Sequence, residues 1–127
     1  MKVGIKNQIK KTVSSDLTAK AMGSGRLDVF ATPAMVAMME EAAHTLVEAE
    51  LEEGQGTVGT SMTVSHLAAT PVGMEVTCES ELIEVDGRKL VFEIKAMDEA
   101  GIIGEAKHER FIIDSEKFLA KTNAKLK

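Results

Sequence analysis

The chain has 127 residues, with 15 basic and 20 acidic side chains for a formal charge of -5, four Phe, no Trp or Tyr, and one Cys. That length suits a single domain with one core, while the acidic balance and the missing aromatic platforms argue against nucleic-acid binding and against an anionic membrane surface. Cys78 has no partner for an intramolecular disulfide or a thiolate metal cluster, which fits a reducing compartment. Met1 to Thr12 intersperses lysines with short apolar residues, a pattern of neither a secretory signal nor a membrane span, so a cytoplasmic protein is expected.

In chain order, Val3, Ile5, Ile9 and Val13 share one parity and predict an opening strand whose other face carries Lys6, Gln8, Lys10 and Thr12. Residues 14 to 28 read as an irregular connection, of a length that is often functional. Thr32 then reads as an N-cap, Pro33 as the first helical residue, and Gly54 or Gly56 as the stop of a long helix. At helical spacing Met35, Val36, Met38, Met39, Ala42, Ala43, Leu46 and Val47 form one apolar stripe, with Glu41, His44, Glu48 and Glu52 opposite. Glu40 lies at the margin of that stripe.

From Val58 to His66 the residues alternate, which predicts a half-buried strand with Val58, Thr60, Met62, Val64 and His66 pointing inward. Pro71 and Gly73 mark a turn before a second strand, in which Met74, Val76, Cys78, Ser80 and Leu82 face in. Asp86-Gly87 signals a hairpin into a third, where Leu90, Phe92, Ile94 and Ala96 face in. Gly101 starts the last strand, Ile102 to Ile113, and a polar, lysine-rich tail follows. Four successive hairpin-linked strands after one helix predict an antiparallel sheet wrapped on that helix. One helix cannot cover every apolar position and an open sheet leaves unpaired edges, so at least a homodimer is expected, with a tetramer left open.

Each polar candidate has an ordinary explanation when taken alone. An inward histidine is more often a satisfied core residue than a catalyst, Thr32 alone is a helix cap, and Glu40 alone is a boundary carboxylate. His108 and Arg110 share the parity of Ile102, Gly104, Ala106 and Ile112; an interface ion pair is as good a reading as substrate contact for Arg110 and the better one for His108. His44 and Glu48 stand one turn apart but lack a third ligand, so a solvated pair is expected and no metal. Gly54, Gly56 and Gly59 lack the lysine and the following helix of a phosphate loop.

The segments VFATPAMVAMMEEAA at 29 to 43 and TVGTSMTVSHLAATPVG at 57 to 73 resemble the hotdog-fold acyl-CoA thioesterases, specifically the fluoroacetyl-CoA thioesterase-like branch. The likeness runs on through VDGRKLVFEIKA and GEAKHERFII to Phe118. It implies an α+β hotdog fold, a five- to six-stranded antiparallel sheet wrapped around one long central helix. It also implies Thr32, Glu40 and His66 as catalytic residues and Gly59 and Arg110 as residues lining the acyl pocket. Thioester hydrolysis suits these types: a hydroxyl and a backbone N–H can donate to the developing oxyanion, a histidine can move a proton near neutrality, and a carboxylate can activate water or attack. The expected substrate is an acyl-CoA, with no cofactor beyond the coenzyme A it carries. Residues 22 to 28 hold no aromatic side chain to build a tight lid, so a short acyl group other than fluoroacetyl is expected. The rival reading is a non-hydrolytic acyl-CoA binding or sensing module on the same fold, and a hydratase of that fold ranks last.

Overall fold

A computed structural model describes residues 1–126. Its elements are β1 (Lys6–Thr12), α1 (Ala19–Met22), α2 (Thr32–Glu48), β2 (Gln55–His66), β3 (Glu75–Asp86), β4 (Lys89–Asp98), β5 (Gly101–Asp114) and α3 (Ser115–Asn123). The strands form one antiparallel sheet in the order β1-β3-β4-β5-β2, and α2 packs across one face, against β1, β3, β4 and β2. This is the expected strand, helix, four-strand order. Met35, Met38, Met39, Ala42, Ala43 and Val47 of α2 are buried against Val76, Cys78 and Leu82 of β3, Leu90, Phe92, Ile94 and Ala96 of β4, and Ile103 of β5. Each fully buried Met, Leu, Ile or Phe contributes roughly 1.5–3 kcal/mol, so this seam is the main source of cohesion.

Several expectations need correction. β2 is not hairpin-linked to β3: residues 67–74 carry the chain across the sheet, and β2 pairs with β5 at the edge instead. Local turn signals mark where a strand stops but not which strand becomes its neighbour. The segment after β1 is partly ordered as a single 3-10 turn, Ser15–Leu17, and the short α1. Helix α2 stops at Glu48, before either glycine, and the tail forms α3, capped by Asp114 accepting from Lys117 N at 3.0 Å. The Asp86-Gly87 hairpin is present, with Gly87 at φ 61 where a side chain would be strained.

The inward parity of β2 also changes along its length. Register shifts between Gly59 and Ser61, leaving Thr60 as an extra residue, so Met62, Val64 and His66 face the helix but Thr57 and Gly59 do so in place of Val58 and Thr60. A second irregularity, opposite Ala96 and Met97, buries Ile103 and leaves Ile102 48% exposed.

Two close approaches set the height of α2 over the sheet. At mid-helix, Asn7 Nδ2 donates to Ala42 O at 3.0 Å, and Ser80 Oγ lies within hydrogen-bonding reach of both Asn7 Oδ1 and Ala42 O. At the helix start, a Cβ on Gly104 would meet Met35 Sδ at 2.6 Å and Ser65 O at 3.1 Å, so a side chain there would force the Met35 side chain off its seat on β5. Gly104→Val is expected to lower stability by roughly 1–3 kcal/mol through overpacking. It should appear as a lower urea midpoint at constant slope; an unchanged midpoint would show that this contact does not set the helix.

Candidate active site

Thr32 is not the N-cap of α2. That position is Ala31, which has no capping side chain, and Thr32 is the first helical residue. Its hydroxyl is directed across to β2, where Thr32 Oγ1 and His66 Nδ1 are 2.7 Å apart. Backbone bonds from both flanks hold this pair in place. Ahead of Thr32, Phe30 N donates to Thr70 O and Ala31 N to Leu17 O, each at 2.9 Å; beyond His66, Leu67 N donates to Ile103 O at 2.6 Å. The two residues line a cavity of about 330 Å³ together with Val29, Phe30, Leu67 and Ala69. His66 Nε2 is buried and, among the described residues, has no hydrogen-bond partner. Burial lowers the His66 pKa from its usual 6.5, opposed by the Ala68 backbone, so the ring is neutral at pH 7.

Glu40 lies elsewhere on the same helix, two turns and about 12 Å from Thr32 along the axis. Its Oε2 is 3.6 Å from Arg110 Nη1, and the carboxylate remains 44% exposed against 8% for the arginine side chain. Gly59 of β2 makes room for the cluster: a Cβ there would meet Glu40 Oε2 at 3.0 Å, His108 Cε1 at 3.2 Å and Arg110 Nη1 at 3.4 Å. Arg110 is further held by Thr57, donating Nε to its hydroxyl at 2.8 Å and Nη2 to its carbonyl at 3.0 Å. Burial pulls the Arg110 pKa below its usual value and Glu40 opposes that pull.

Of the five residues singled out, one chain therefore brings together Thr32 with His66, and separately Glu40 with Gly59 and Arg110. Arg110 pairs with Glu40 of its own chain, where the sequence suggests an interface ion pair or substrate contact. His108 does not: it is buried, and its ring nitrogens meet Ser61 O and Arg110 Nη1. Thr57 was missed, because the Thr60 bulge that turns it inward leaves no mark on a period-two pattern. His44 and Glu48 are the expected exposed pair, 2.9 Å apart. Among the described residues no cluster of three His, Cys, Asp or Glu side chains converges as a metal site.

One long helix wrapped by a five-stranded antiparallel sheet is the hotdog architecture of thioesterases, and here the helix start carries a hydroxyl–imidazole pair. A Thermus thermophilus thioesterase superfamily member is similar at a TM-score of 0.89 and 26% identity, over 97% of this chain and 91% of that one. The model of the fluoroacetyl-CoA-specific thioesterase family matches residues 13–116, and the chain belongs to that family. The fluoroacetyl-CoA thioesterase of Streptantibioticus cattleyicolor is 45% identical over 98 residues, which is 77% of this chain and 70% of the relative. A solved fluoroacetyl-CoA thioesterase structure superposes at a TM-score of 0.94 with 37% identity, covering 100% of this chain and 98% of the other.

The two inward histidines make stability depend on pH. Desolvation holds both His66 and His108 below the ordinary 6.5. Above about pH 6.5 neither the folded nor the unfolded chain protonates them. As pH falls below that value the unfolded chain takes up protons that the folded chain resists, so stability declines until the folded-state values are passed. The urea midpoint is expected to be lower at pH 5.5 than at pH 7.5, with a smaller drop in His108→Gln. Equal drops in the two proteins would remove His108 from the account.

Proposed function

We propose that the protein hydrolyses a short-chain or small substituted acyl-CoA to the free acid and coenzyme A, with Thr32, His66 and Glu40 as the catalytic residues. The observation that carries this is the Thr32–His66 pair at the start of α2, lining a cavity, with one histidine nitrogen uncommitted. In this reading His66 Nδ1–H donates to Thr32 Oγ1, which leaves the threonine O–H to donate to the thioester oxygen. The positive end of the α2 dipole favours the negative charge that develops there. When Glu40 orients a water for attack, neutral His66 takes the water's proton through Nε2 and passes it to the departing CoA thiolate; when Glu40 attacks, CoA leaves as the thiolate and His66 takes the proton of the water that opens the anhydride. Glu40 either activates water, whose oxygen ends in the product acid, or attacks the carbonyl to give an anhydride that water opens. Single turnover in oxygen-18 water tests the covalent route: label entering the Glu40 carboxylate requires the anhydride, whereas label confined to the acid is left both by activated water and by an anhydride opened at its acyl carbon.

The separation of Glu40 from Thr32 within one chain supports a site shared between two subunits. Strand β2 lies at the edge of the sheet and carries no Lys, Arg, Asp, Glu or Pro along its 12 residues, whereas the opposite edge, β1, is protected by Lys6, Lys10 and Lys11. Antiparallel pairing of β2 with its copy runs the His66 end of one protomer past the Gln55 end of its partner. That pairing moves the partner's Glu40 toward the Thr32–His66 pair. The free, buried thiol of Cys78, with its pKa pushed up to about 12 by desolvation, suits the expected cytoplasmic location.

Of residues Met22 to Asp28 only Ser24 lines the cavity, whose aromatic wall is Phe30, while Met22 and Leu27 are 43% and 68% exposed. The acyl group is accordingly small but not selected by a tight aromatic lid. Acetyl, propionyl, butyryl, phenylacetyl and haloacetyl thioesters, followed by thiol trapping, define its range. Saturable binding with no thiol release would favour the non-hydrolytic alternative.

Glu40→Gln and His66→Ala are each expected to lower kcat by roughly 10²-fold or more without changing assembly by sedimentation. Mixing and refolding the two variants should restore up to about a quarter of wild-type activity, since half of a random two-fold population is mixed and one of its two sites is intact. No recovery would place the three residues in one chain.

A further inference from the structure

Arg110 has five N–H donors and no acceptor. Thr57 anchors one edge of the guanidinium through Nε and Nη2. On the other side, Nη1 lies 3.1 Å from His108 Nε2 and 3.6 Å from Glu40 Oε2, so it is hydrogen-bonded to the imidazole and only near the carboxylate. His108 is 1% exposed, and its Nδ1 lies 2.8 Å from Ser61 O. A carbonyl only accepts and a guanidinium only donates. Each contact therefore demands the same tautomer, with the proton on Nδ1 and the lone pair on Nε2. A second proton on this ring would set N–H against N–H, so His108 is a fixed acceptor and not a proton carrier. The other charged groups facing it are Arg110 on its own strand and Glu40 from α2. Its cross-strand neighbours are Phe92 of β4 and Met62 of β2, and neither titrates.

We propose that His108 is a positioning residue whose Nε2 lone pair holds the Arg110 guanidinium off Glu40, so that the carboxylate stays available to act on water or on the thioester. This rests on the reading of Glu40 as the carboxylate of hydrolysis. Without the imidazole to fix one of its two protons, Nη1 is free to move the remaining distance to Glu40, its other acceptor within reach. Closing to a charge-assisted hydrogen bond of about 2.8 Å ties up the oxygen that must react.

The test measures kcat, KM and melting temperature for His108→Leu, which has no acceptor, and His108→Gln, which has both an acceptor and a donor. It repeats both substitutions in a Glu40→Gln background. In His108→Leu kcat is expected to fall roughly tenfold or more, with KM within about threefold of wild type. Gln should recover most of the loss, and in the Glu40→Gln background the leucine substitution should cost almost nothing further, because its route of action is gone. Wild-type kcat in His108→Leu, a failure of Gln to recover it, or an undiminished loss without Glu40 overturns the proposal. If His108→Leu does not fold, Thr57→Val replaces it. That substitution removes the hydroxyl that accepts from Nε at nearly constant volume but keeps the Thr57 carbonyl that accepts from Nη2, so a smaller loss with the same coupling to Glu40 is expected. Wild-type turnover in Glu40→Gln alone overturns the assignment of Glu40 and is read separately from any effect at position 108.

Discussion

One packing constraint underlies the molecule: α2 must lie nearly in contact with the sheet along its whole length. Its apolar stripe of methionines and alanines has no other place to be buried, and the sheet admits it through small or absent side chains at the points of closest approach. Gly104 admits Met35 at one end, Ser80 and Asn7 bind the Ala42 carbonyl in the middle, and Gly59 leaves space under Glu40. Because the helix is seated at these places, its first turn arrives beside His66 and a later turn arrives over Arg110. The candidate site residues fall at the two stations where polar side chains of the helix meet polar side chains of the strands.

Those stations solve opposite problems. Arg110 is a buried permanent charge, and leaving such a charge unpaired costs several kcal/mol, so Thr57 and His108 meet its donors and Glu40 supplies the opposite charge at 3.6 Å. His66 is a neutral base with one nitrogen held by Thr32 and the other uncommitted. Burial keeps both histidines uncharged near neutrality, yet only one is free to exchange protons. The tautomer of His108 is fixed by two partners that cannot change roles, whereas the hydroxyl opposite His66 can either donate or accept.

The separation of the two stations bears on assembly. Glu40 stands two turns along α2 from Thr32, and in the proposed reading the uncharged edge of β2 is the surface across which a second copy delivers its carboxylate. That reading would give a functional reason for the edge strand's lack of protective charge.

The sequence by itself determined the elements and most of their faces. The period of α2, the parity of β3 and β4, the Asp86-Gly87 hairpin and the marginal position of Glu40 all follow from local alternation and turn chemistry, which depend on neighbours within a few residues. The resemblance carried by residues 29 to 43 and 57 to 73 supplied the fold and named the candidate site residues. Only the tertiary structure decided that β2 pairs with β5, that Thr60 is a bulge which turns Thr57 and Gly59 inward, and that Thr32 spends its hydroxyl on His66 rather than on its own helix. It also decided that His108 is locked between Ser61 and Arg110. The reason is common to all four: strand order, bulge position and side-chain partnership are set by groups on other strands, far away in sequence, and a residue's own neighbours carry no trace of them.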